Sequence, residues 1–295
     1  MERKTAGDYS QELLNVFDKY VHGDIDRREF LRQAAKFAVG GVTAAMLLEE
    51  LSPRFADAQQ VPRDDKRLAT SYVEYPSPKG YGKIRGYLAR RADAKGKLPG
   101  VLVVHENRGL NPHIEDIARR LALEGFLAFA PDALTPLGGY PGDEDKARET
   151  FGTLDQAKTR EDFLAGLAFL EKRPECTGRV GAIGFCFGGG IVNMLATHAP
   201  ELAAAVPFYG AQPTDAEVAQ IRCPMLIHYA EHDDRIDAGI AAFEASLKAH
   251  HVSYQLFTYP GTQHGFNNDT TPRYDAGAAA LAWRRSIDFL KQNVH

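Results

Sequence analysis

From about Thr70 to the end of the chain, short strand-forming runs alternate with patterns typical of helices. Val101-Leu102-Val103-Val104 is an unbroken apolar run, which is typical of a strand buried on both faces of a sheet. Alternating strands and helices predict a mostly parallel sheet that is covered by helices on both faces. We therefore predict an α/β fold for residues 70–295, with ligands bound at the carboxyl ends of the strands.

The predicted elements follow one another in a regular order, and an antiparallel pair of strands opens the domain. The predicted strands are Ser71–Tyr75, Ile84–Ala89, Val101–Val104, Phe126–Ala130, Arg179–Phe185, Ala203–Phe208, Met225–Tyr229 and Tyr254–Tyr259. The predicted helices are His113–Glu124, Asp143–Lys172 in two pieces, Gly188–Thr197, Ala238–Ala249 and Asp275–Asn293.

Residues 1–69 differ in pattern and are predicted to form a separate N-terminal extension. A polar, weakly amphipathic helix is expected over Glu2–His22, and Arg27-Arg28 precedes a short apolar stretch and the small-residue sequence Ala56-Asp57-Ala58. This arrangement resembles a twin-arginine export leader, which predicts cleavage after Ala58 and a periplasmic location. The apolar stretch is too short to span a bilayer core of about 30 Å. The alternative is a cytoplasmic protein whose N-terminal helix packs on the domain or on a partner subunit.

Composition excludes several classes of protein. The chain has 295 residues, of which 44% are hydrophobic and 25% charged, and this excludes a disordered, collagen-like or multi-span membrane protein. A net charge of −4 gives no sign of nucleic-acid binding. Three cysteines without a C-x-x-C pair indicate neither a disulfide framework nor a metal site. The expected partner is a small-molecule substrate, with homo-oligomerisation left open.

The sequence Gly184-Phe185-Cys186-Phe187-Gly188 lies between a predicted strand and a predicted helix. This is the context of the G-x-S-x-G nucleophile elbow, with cysteine in place of serine. The positive end of the following helix favours a thiolate at Cys186, and the N–H of Phe187 can form half of an oxyanion hole. The alternative is a buried cysteine in a glycine-rich turn.

An acid and a base are expected after the nucleophile, in that order. Asp233 follows the strand Met225–Tyr229, and it fits the usual acid loop better than its neighbour Asp234. His264 lies beside a glycine after the last strand and is the expected base, with His232 as a lesser alternative. The base would take the thiol proton and later protonate the leaving alcohol, while the acid would fix the imidazole tautomer.

The loop that follows Val104 is expected to supply the second oxyanion N–H. A glutamate in this loop, Glu106, is unusual because a negative charge disfavours a developing oxyanion. Its presence is explained if it contacts the cysteine thiol or the substrate. The alternative is a surface ion pair with Arg108 or Arg119.

Taken together, residues from about 70 to 295 resemble the dienelactone hydrolase family. The resemblance rests on five segments of this sequence: the His105–Gly109 loop, Ala130-Pro131-Asp132, Gly184–Gly190, the Asp233 loop and His264-Gly265-Phe266. It implies the α/β-hydrolase fold without cofactor or metal. It also implies a catalytic triad, a thiol-modulating glutamate and two oxyanion amides, which fall here on Cys186, Asp233 and His264, on Glu106, and on Asn107 and Phe187.

The resemblance also implies a departure in substrate binding. The family holds the substrate carboxylate with two arginines, and this chain has Pro136 and Asn268 at those positions. Arg108 and Arg273 are the candidates to replace them, so Arg108, Asn268 and Arg273 are the expected substrate-binding residues. The segment Tyr140–Thr159 is expected to form part of the cleft wall.

The sequence therefore predicts an enzyme that hydrolyses carboxylic esters or lactones through a Cys–His–Asp triad and a thioester acyl-enzyme, of the carboxymethylenebutenolidase type. The first alternative is a non-catalytic binding scaffold built on a hydrolase fold. A thiol redox protein is the second alternative, and the lack of a C-x-x-C pair disfavours it.

Overall fold

The structure, a computed structural model, describes residues 4–55 and 59–295. Eight strands form one sheet in the order β1-β2-β4-β3-β5-β6-β7-β8, and every pair from β4 to β8 is parallel. The antiparallel pairs β1–β2 and β2–β4 lie at one end. The strands are β1 Leu68–Ser77, β2 Gly82–Arg91, β3 Leu98–Val104, β4 Leu127–Pro131, β5 Cys176–Phe185, β6 Ala204–Phe208, β7 Met225–His232 and β8 Tyr254–Gln263. The mostly parallel sheet predicted above is confirmed.

Ten α-helices are described. They are α1 Gln11–His22, α2 Arg27–Ala34, α3 Ala44–Leu51, α4 Pro112–Leu123, α5 Glu144–Phe151, α6 Gln156–Glu171, α7 Phe187–His198, α8 Asp215–Val218, α9 Asp234–Ala249 and α10 Ala276–Asn293. Helices α6, α7 and α9 pack on one face of the sheet, and α4 and α10 pack on the other. Helices therefore cover both faces, as predicted.

The central strand β3 accounts for the unbroken apolar run. Val101 and Val103 pack with the residues of α4 and α10, whereas Leu102 and Val104 pack on the opposite face with those of α6 and α7. All four side chains are fully buried. Strands of this kind need apolar residues at every position because neither face contacts water.

Several boundaries differ from the predicted ones. The first α-helix begins at Gln11 and not at Glu2, because the Ser10 side chain accepts a hydrogen bond from the backbone N–H of Leu13 and caps it there. Helix α9 begins at Asp234, four residues earlier than predicted, and the short α8 was missed. Most strands are longer than predicted, because the ladders continue beyond the apolar runs on which the prediction rested.

The N-terminal helices α1, α2 and α3 form a small apolar core of their own. Its largest buried side chains include Phe17, Tyr20 and Phe30, whose ring centroids lie 5.3–6.4 Å apart. The predicted cleavage sequence Ala56-Asp57-Ala58 lies outside the described residues. Among the helices that the structure describes, none has the length and apolar character needed to cross a membrane.

Candidate active site

Cys186 lies at the turn between β5 and α7, directly beyond the carboxyl edge of the sheet. Its backbone has φ +56° and ψ −115°, a left-handed conformation that is strained for a residue with a side chain. The turn is held on one side by the hydrogen bond that the Cys186 N–H donates to the Phe208 carbonyl over 3.1 Å. This geometry directs the Cys186 side chain to the start of α7, where the helix dipole favours a negative sulfur.

Two glycines allow the sharp turn. A Cβ at Gly184 would come closer than 3.0 Å to the backbone of Gly188, and a Cβ at Gly188 would come equally close to the backbone carbonyl of Val104. Real Cβ atoms essentially never make such contacts. The glycines therefore let α7 approach the ends of β3 and β5 closely enough to place the thiol between them.

His264 and Asp233 meet as the predicted base and acid. Asp233 follows β7, and its Oδ2 lies 2.5 Å from Nδ1 of His264, which follows β8. Both side chains are almost fully buried. The His264 Nε2 atom is directed at the nucleophile and lies within 4.8 Å of the Cys186 Sγ atom. The residues predicted as nucleophile, base and acid thus come from three loops at one edge of the sheet.

The electrostatics of this group favour a thiolate–imidazolium pair. Burial raises the pKa of the Cys186 thiol, but the imidazoles of His264 and His22 outweigh it and lower this pKa to about 5. Burial likewise lowers the pKa of His264, whereas the Asp233 carboxylate and the Cys186 sulfur raise it well above its usual value. A negative sulfur beside a positive imidazole is the reactive form of a nucleophilic cysteine.

A second histidine, which sequence reasoning missed, reaches the thiol from the N-terminal extension. His22 is the last residue of α1, and its Nε2 lies 3.4 Å from the Cys186 Sγ atom. Its ring meets that of His264 edge to face, with 4.7 Å between centroids. Burial lowers the pKa of His22, but Cys186 and Asp18 outweigh it and raise this pKa. No motif around His22 marks it in the sequence.

The loop after β3 lies against both the thiol and α1. The Glu106 carboxylate accepts a hydrogen bond from Asn268 Nδ2 over 2.8 Å, and both side chains are buried. Asn107 donates from its side chain to the carbonyl of Val21 over 2.8 Å. Asn107 and Phe187, whose backbone amides are the expected oxyanion donors, line the same cavity as Cys186.

The expected substrate-binding residues have partners within the protein. The Nε atom of Arg108 lies 3.0 Å from the Glu144 carboxylate, and Arg273 donates to Asp18 of α1 over 2.9 Å. Asn268 holds Glu106, as described above. Pro136 is exposed in a short 3₁₀ turn.

The remaining candidates lie outside the buried group. Asp234 is exposed at the first position of α9, and His232 has a side chain that is 44% exposed and lies 3.9 Å from Glu231. Sequence reasoning also missed Tyr209, a buried residue with φ +36° whose ring lies 4.8 Å from that of His264. A single aromatic residue after a buried strand offers no signal by which it could have been found.

A cavity of about 740 Å³ opens beside the thiol. His22, Cys186 and Phe187 line it at one end, and residues of the predicted cleft-wall segment, among them Arg148 and Phe151, line its side. Three acidic and three arginine side chains line the cavity, so their formal charges cancel. They are Asp24, Glu149, Glu217, Arg148, Arg160 and Arg235. This volume suits a small organic molecule.

The chain is similar to known hydrolases over most of its length. Residues 84–294 match the model of the dienelactone hydrolase family, and residues 1–37 match a model described as YqhI-like. The chain is 54% identical to a hydrolase fragment, YghX, of Escherichia coli (strain K12) over 114 residues, which are 39% of this chain and 97% of that protein. It is 32% identical to a carboxymethylenebutenolidase of the same organism over 257 residues, with 82% and 93% of the two chains covered. Both of those names are provisional.

A solved structure shows the same fold. The crystal structure of a provisionally named dienelactone hydrolase from Klebsiella pneumoniae superposes with a TM-score of 0.67 at 28% sequence identity. The match covers 76% of this chain and 99% of that one. The α/β-hydrolase fold that the sequence predicted is therefore confirmed.

Proposed function

Because the chain belongs to the dienelactone hydrolase family, we propose that it hydrolyses small carboxylic esters or lactones with Cys186 as nucleophile, His264 as base and Asp233 as acid. The observation that carries the proposal is the buried Asp233–His264 contact of 2.5 Å beside a cysteine in a strained turn. The hydrolase class itself follows from the family and from the relatives that carry carboxymethylenebutenolidase names.

The first half of the reaction forms a thioester. The Cys186 thiolate attacks the carbonyl carbon, and the carbonyl electrons move onto oxygen, where the N–H groups of Asn107 and Phe187 stabilise the charge. When this intermediate collapses, the bond to the alcohol oxygen breaks and the His264 imidazolium gives that oxygen a proton. A lactone opens in the same way, and its hydroxyl stays on the acyl chain.

The second half restores the enzyme. Neutral His264 takes a proton from water as the water oxygen attacks the thioester, and Cys186 leaves as a thiolate beside the imidazolium. Asp233 keeps the proton of the imidazole on Nδ1 throughout, so that Nε2 exchanges protons with substrate. The hydrogen bond from Asn268 holds the Glu106 carboxylate near the Cys186 sulfur, although the carboxylate does not pair with the sulfur directly. This position supports a thiol-modulating role for Glu106.

Replacement of the nucleophile tests this proposal. Cys186→Ala should lower kcat/KM for a short-chain ester by about 10³-fold or more, since removing the nucleophile of such a unit costs several orders of magnitude. Cys223→Ala is the matched control, because Cys223 is also a buried, free cysteine but lies at the start of β7 and not at its carboxyl end. Unchanged hydrolysis by Cys186→Ala would refute Cys186 as the nucleophile, and a wild-type protein without ester hydrolysis would favour the scaffold alternative.

We also propose, from the Arg27-Arg28 pair, that the protein is exported with residues 1–58 as a leader. Replacing both arginines with lysine should keep the protein in the cytoplasm, and the exported protein should begin near Gln59. A native cytoplasmic protein that retains Met1 would support the alternative of a packed N-terminal helix. The contacts of α1 with the domain, such as that between Asn107 and Val21, support this alternative.

A further inference from the structure

Three atoms of the kinds that ligate soft metals converge at the thiol. They are Nε2 of His22, Sγ of Cys186 and Nε2 of His264, and all three lie within 4.8 Å of one another. The His22 and Cys186 atoms are 3.4 Å apart. The His264 Nε2 atom is buried and lies beside the sulfur.

The ligand types and the spacing fit a zinc-type ion. Zinc binds sulfur at about 2.3 Å and imidazole nitrogen at about 2.0–2.1 Å, so the ligand atoms of a tetrahedral site lie about 3.3–3.6 Å apart. The His22–Cys186 pair already has this separation. A pair at the widest separation of 4.8 Å would need to close by about 1.2–1.5 Å through side-chain movement. Magnesium and calcium need oxygen ligands, which this group lacks.

The outer partners of the two imidazoles provide an independent observation. The Nδ1 atom of His22 lies 2.8 Å from the backbone carbonyl of Asp18 and 3.2 Å from the carboxylate of the same residue. The Nδ1 atom of His264 lies 2.5 Å from the Asp233 carboxylate. Metal-binding histidines almost always hold a carboxylate or carbonyl through the second ring nitrogen. Both imidazoles thus present Nε2 to the same space.

We propose that, in the chain that retains residues 1–58, His22, Cys186 and His264 form a binding site for a zinc-type divalent cation, with the fourth coordination position open to the cavity. His22 and Cys186 both line this cavity, so water or a small ligand has access to that position. Binding forms one metal–sulfur and two metal–nitrogen bonds, and every proton held on the thiol or on Nε2 of His22 and His264 is released to solvent. No group is oxidised or reduced.

The site has two consequences for the protein. Because the metal takes the electron pair of the sulfur, the metal-bound form cannot attack a carbonyl, and this effect rests on the proposed function. In addition, one ligand belongs to α1 and two belong to the hydrolase domain. The cation therefore fastens the N-terminal extension over the thiol, in addition to the Arg273–Asp18 contact.

Cobalt(II) is a suitable probe, because thiolate ligation gives a charge-transfer absorption band that imidazole and carboxylate ligands do not give. Untagged, full-length protein is stripped of metal with a chelator and titrated with Co²⁺ without substrate. The band is expected to saturate at one equivalent. His22→Gln should weaken binding by at least about tenfold, since even the loss of an outer partner costs about 10–100-fold. His198→Gln, at an exposed histidine of α7, is the matched control and should bind as wild type does.

The outcomes separate the metal site from the hydrolase activity. The absence of the band in wild-type protein, or an unchanged affinity in His22→Gln, would overturn the site. Asp18→Asn is the second variant, and an affinity that stays unchanged in it would count against the site in the same way. Zinc should also inhibit ester hydrolysis, with weaker inhibition of His22→Gln relative to its own metal-free rate. A cobalt band that depends on His22 in a protein without esterase activity would refute the proposed function alone.

Discussion

At Cys186, a strained backbone and two imidazoles act on one atom. The φ of +56° places the sulfur at the start of α7, and His264 and His22 approach it from two other segments of the chain. The two imidazoles lower the pKa of the thiol by more than burial raises it. The sulfur is therefore charged at neutral pH, although its side chain is buried.

This charge predicts the pH dependence of the reaction. With a thiol pKa of about 5, the nucleophile is protonated below that value, so kcat/KM should fall about tenfold per pH unit below pH 5. Above it, the rate should stay level past neutrality, because the pKa of His264 is raised. The measurement is kcat/KM between pH 4 and pH 9, together with the alkylation rate of Cys186 by iodoacetamide.

The matched variant for this profile is His22→Gln, in which the acid limb should move to higher pH because one of the two imidazoles that lower the thiol pKa is lost. An acid limb near the ordinary cysteine pKa of about 8.5 in wild-type protein would contradict the prediction.

The two neighbouring aspartates give a second prediction at the scale of single residues. Asp233→Asn should lower kcat/KM by about 10³–10⁴-fold, because an amide in place of the Oδ2 acceptor disturbs the imidazole tautomer. Asp234→Asn removes an exposed carboxylate at the start of α9 and should change kcat/KM less than about tenfold. Steady-state kinetics of both variants decide the matter, and the reverse order would mean that Asp234 is the acid.

At the scale of elements, the junction of β5 with α7 carries the site. Gly188→Ala would bring a Cβ closer than 3.0 Å to the backbone of Val104 and His105, neither of which can move without shifting β3. We expect it to lower the free energy of unfolding by about 3 kcal/mol, the upper end of the usual cost of overpacking. Urea unfolding provides the measurement.

Gly190→Ala is the control in the same helix. Its Cβ would meet Ala211 at 3.6 Å or more, an ordinary contact, and alanine favours the helix over glycine. Its free energy of unfolding should change by less than about 1 kcal/mol, or rise. Equal destabilisation by both variants would show that the close approach at Gly188 has no special role.

Some features of the structure could be predicted from the sequence, and others could not. The three residues of the predicted triad could be expected to lie together because each follows a strand of a parallel sheet, and such strand ends share an edge. The start of the first α-helix could not be predicted, because it depends on the Ser10 cap, whereas its end at His22 was predicted correctly. His22 could not be predicted either: its contact with Cys186 joins residues 164 positions apart, and only tertiary packing sets it.

At the scale of the whole molecule, the N-terminal extension forms one side of the active site. Asp18 pairs with Arg273, the carbonyl of Tyr20 accepts from Arg148 over 2.7 Å, and Gln11 exchanges hydrogen bonds with Gln263. These contacts engage two arginines near the site that could otherwise bind an anionic substrate. We therefore expect the extension to affect substrate choice as well as access.

The balanced charges of the cavity predict a preference for neutral substrates. Neutral short-chain esters or lactones should show a higher kcat/KM than an anionic lactone of similar size. An arginine clamp would contribute about 1.5–3 kcal/mol for each charge-assisted bond to an anionic substrate, and a lining with balanced charges is not expected to supply this energy. The comparison belongs at low salt, where residual attraction is least screened. Arg235→Gln, at an exposed lining residue, should change the ratio of the two rates less than about threefold. A tenfold preference for the anionic lactone would contradict this and indicate a clamp.

The positions of the three cysteines have a consequence for the lifetime of the enzyme. Cys176 and Cys223 lie at the opposite edge of the sheet from Cys186, and the ten residues of β5 alone separate Cys176 from Cys186 by about 30 Å. If a peroxide oxidises the Cys186 thiolate to a sulfenic acid, neither of the other two cysteines is close enough to form a protective disulfide with it. Further oxidation of the sulfenic acid is irreversible. We therefore expect the cover that α1 places over the sulfur to determine how long the enzyme stays active in the presence of peroxide.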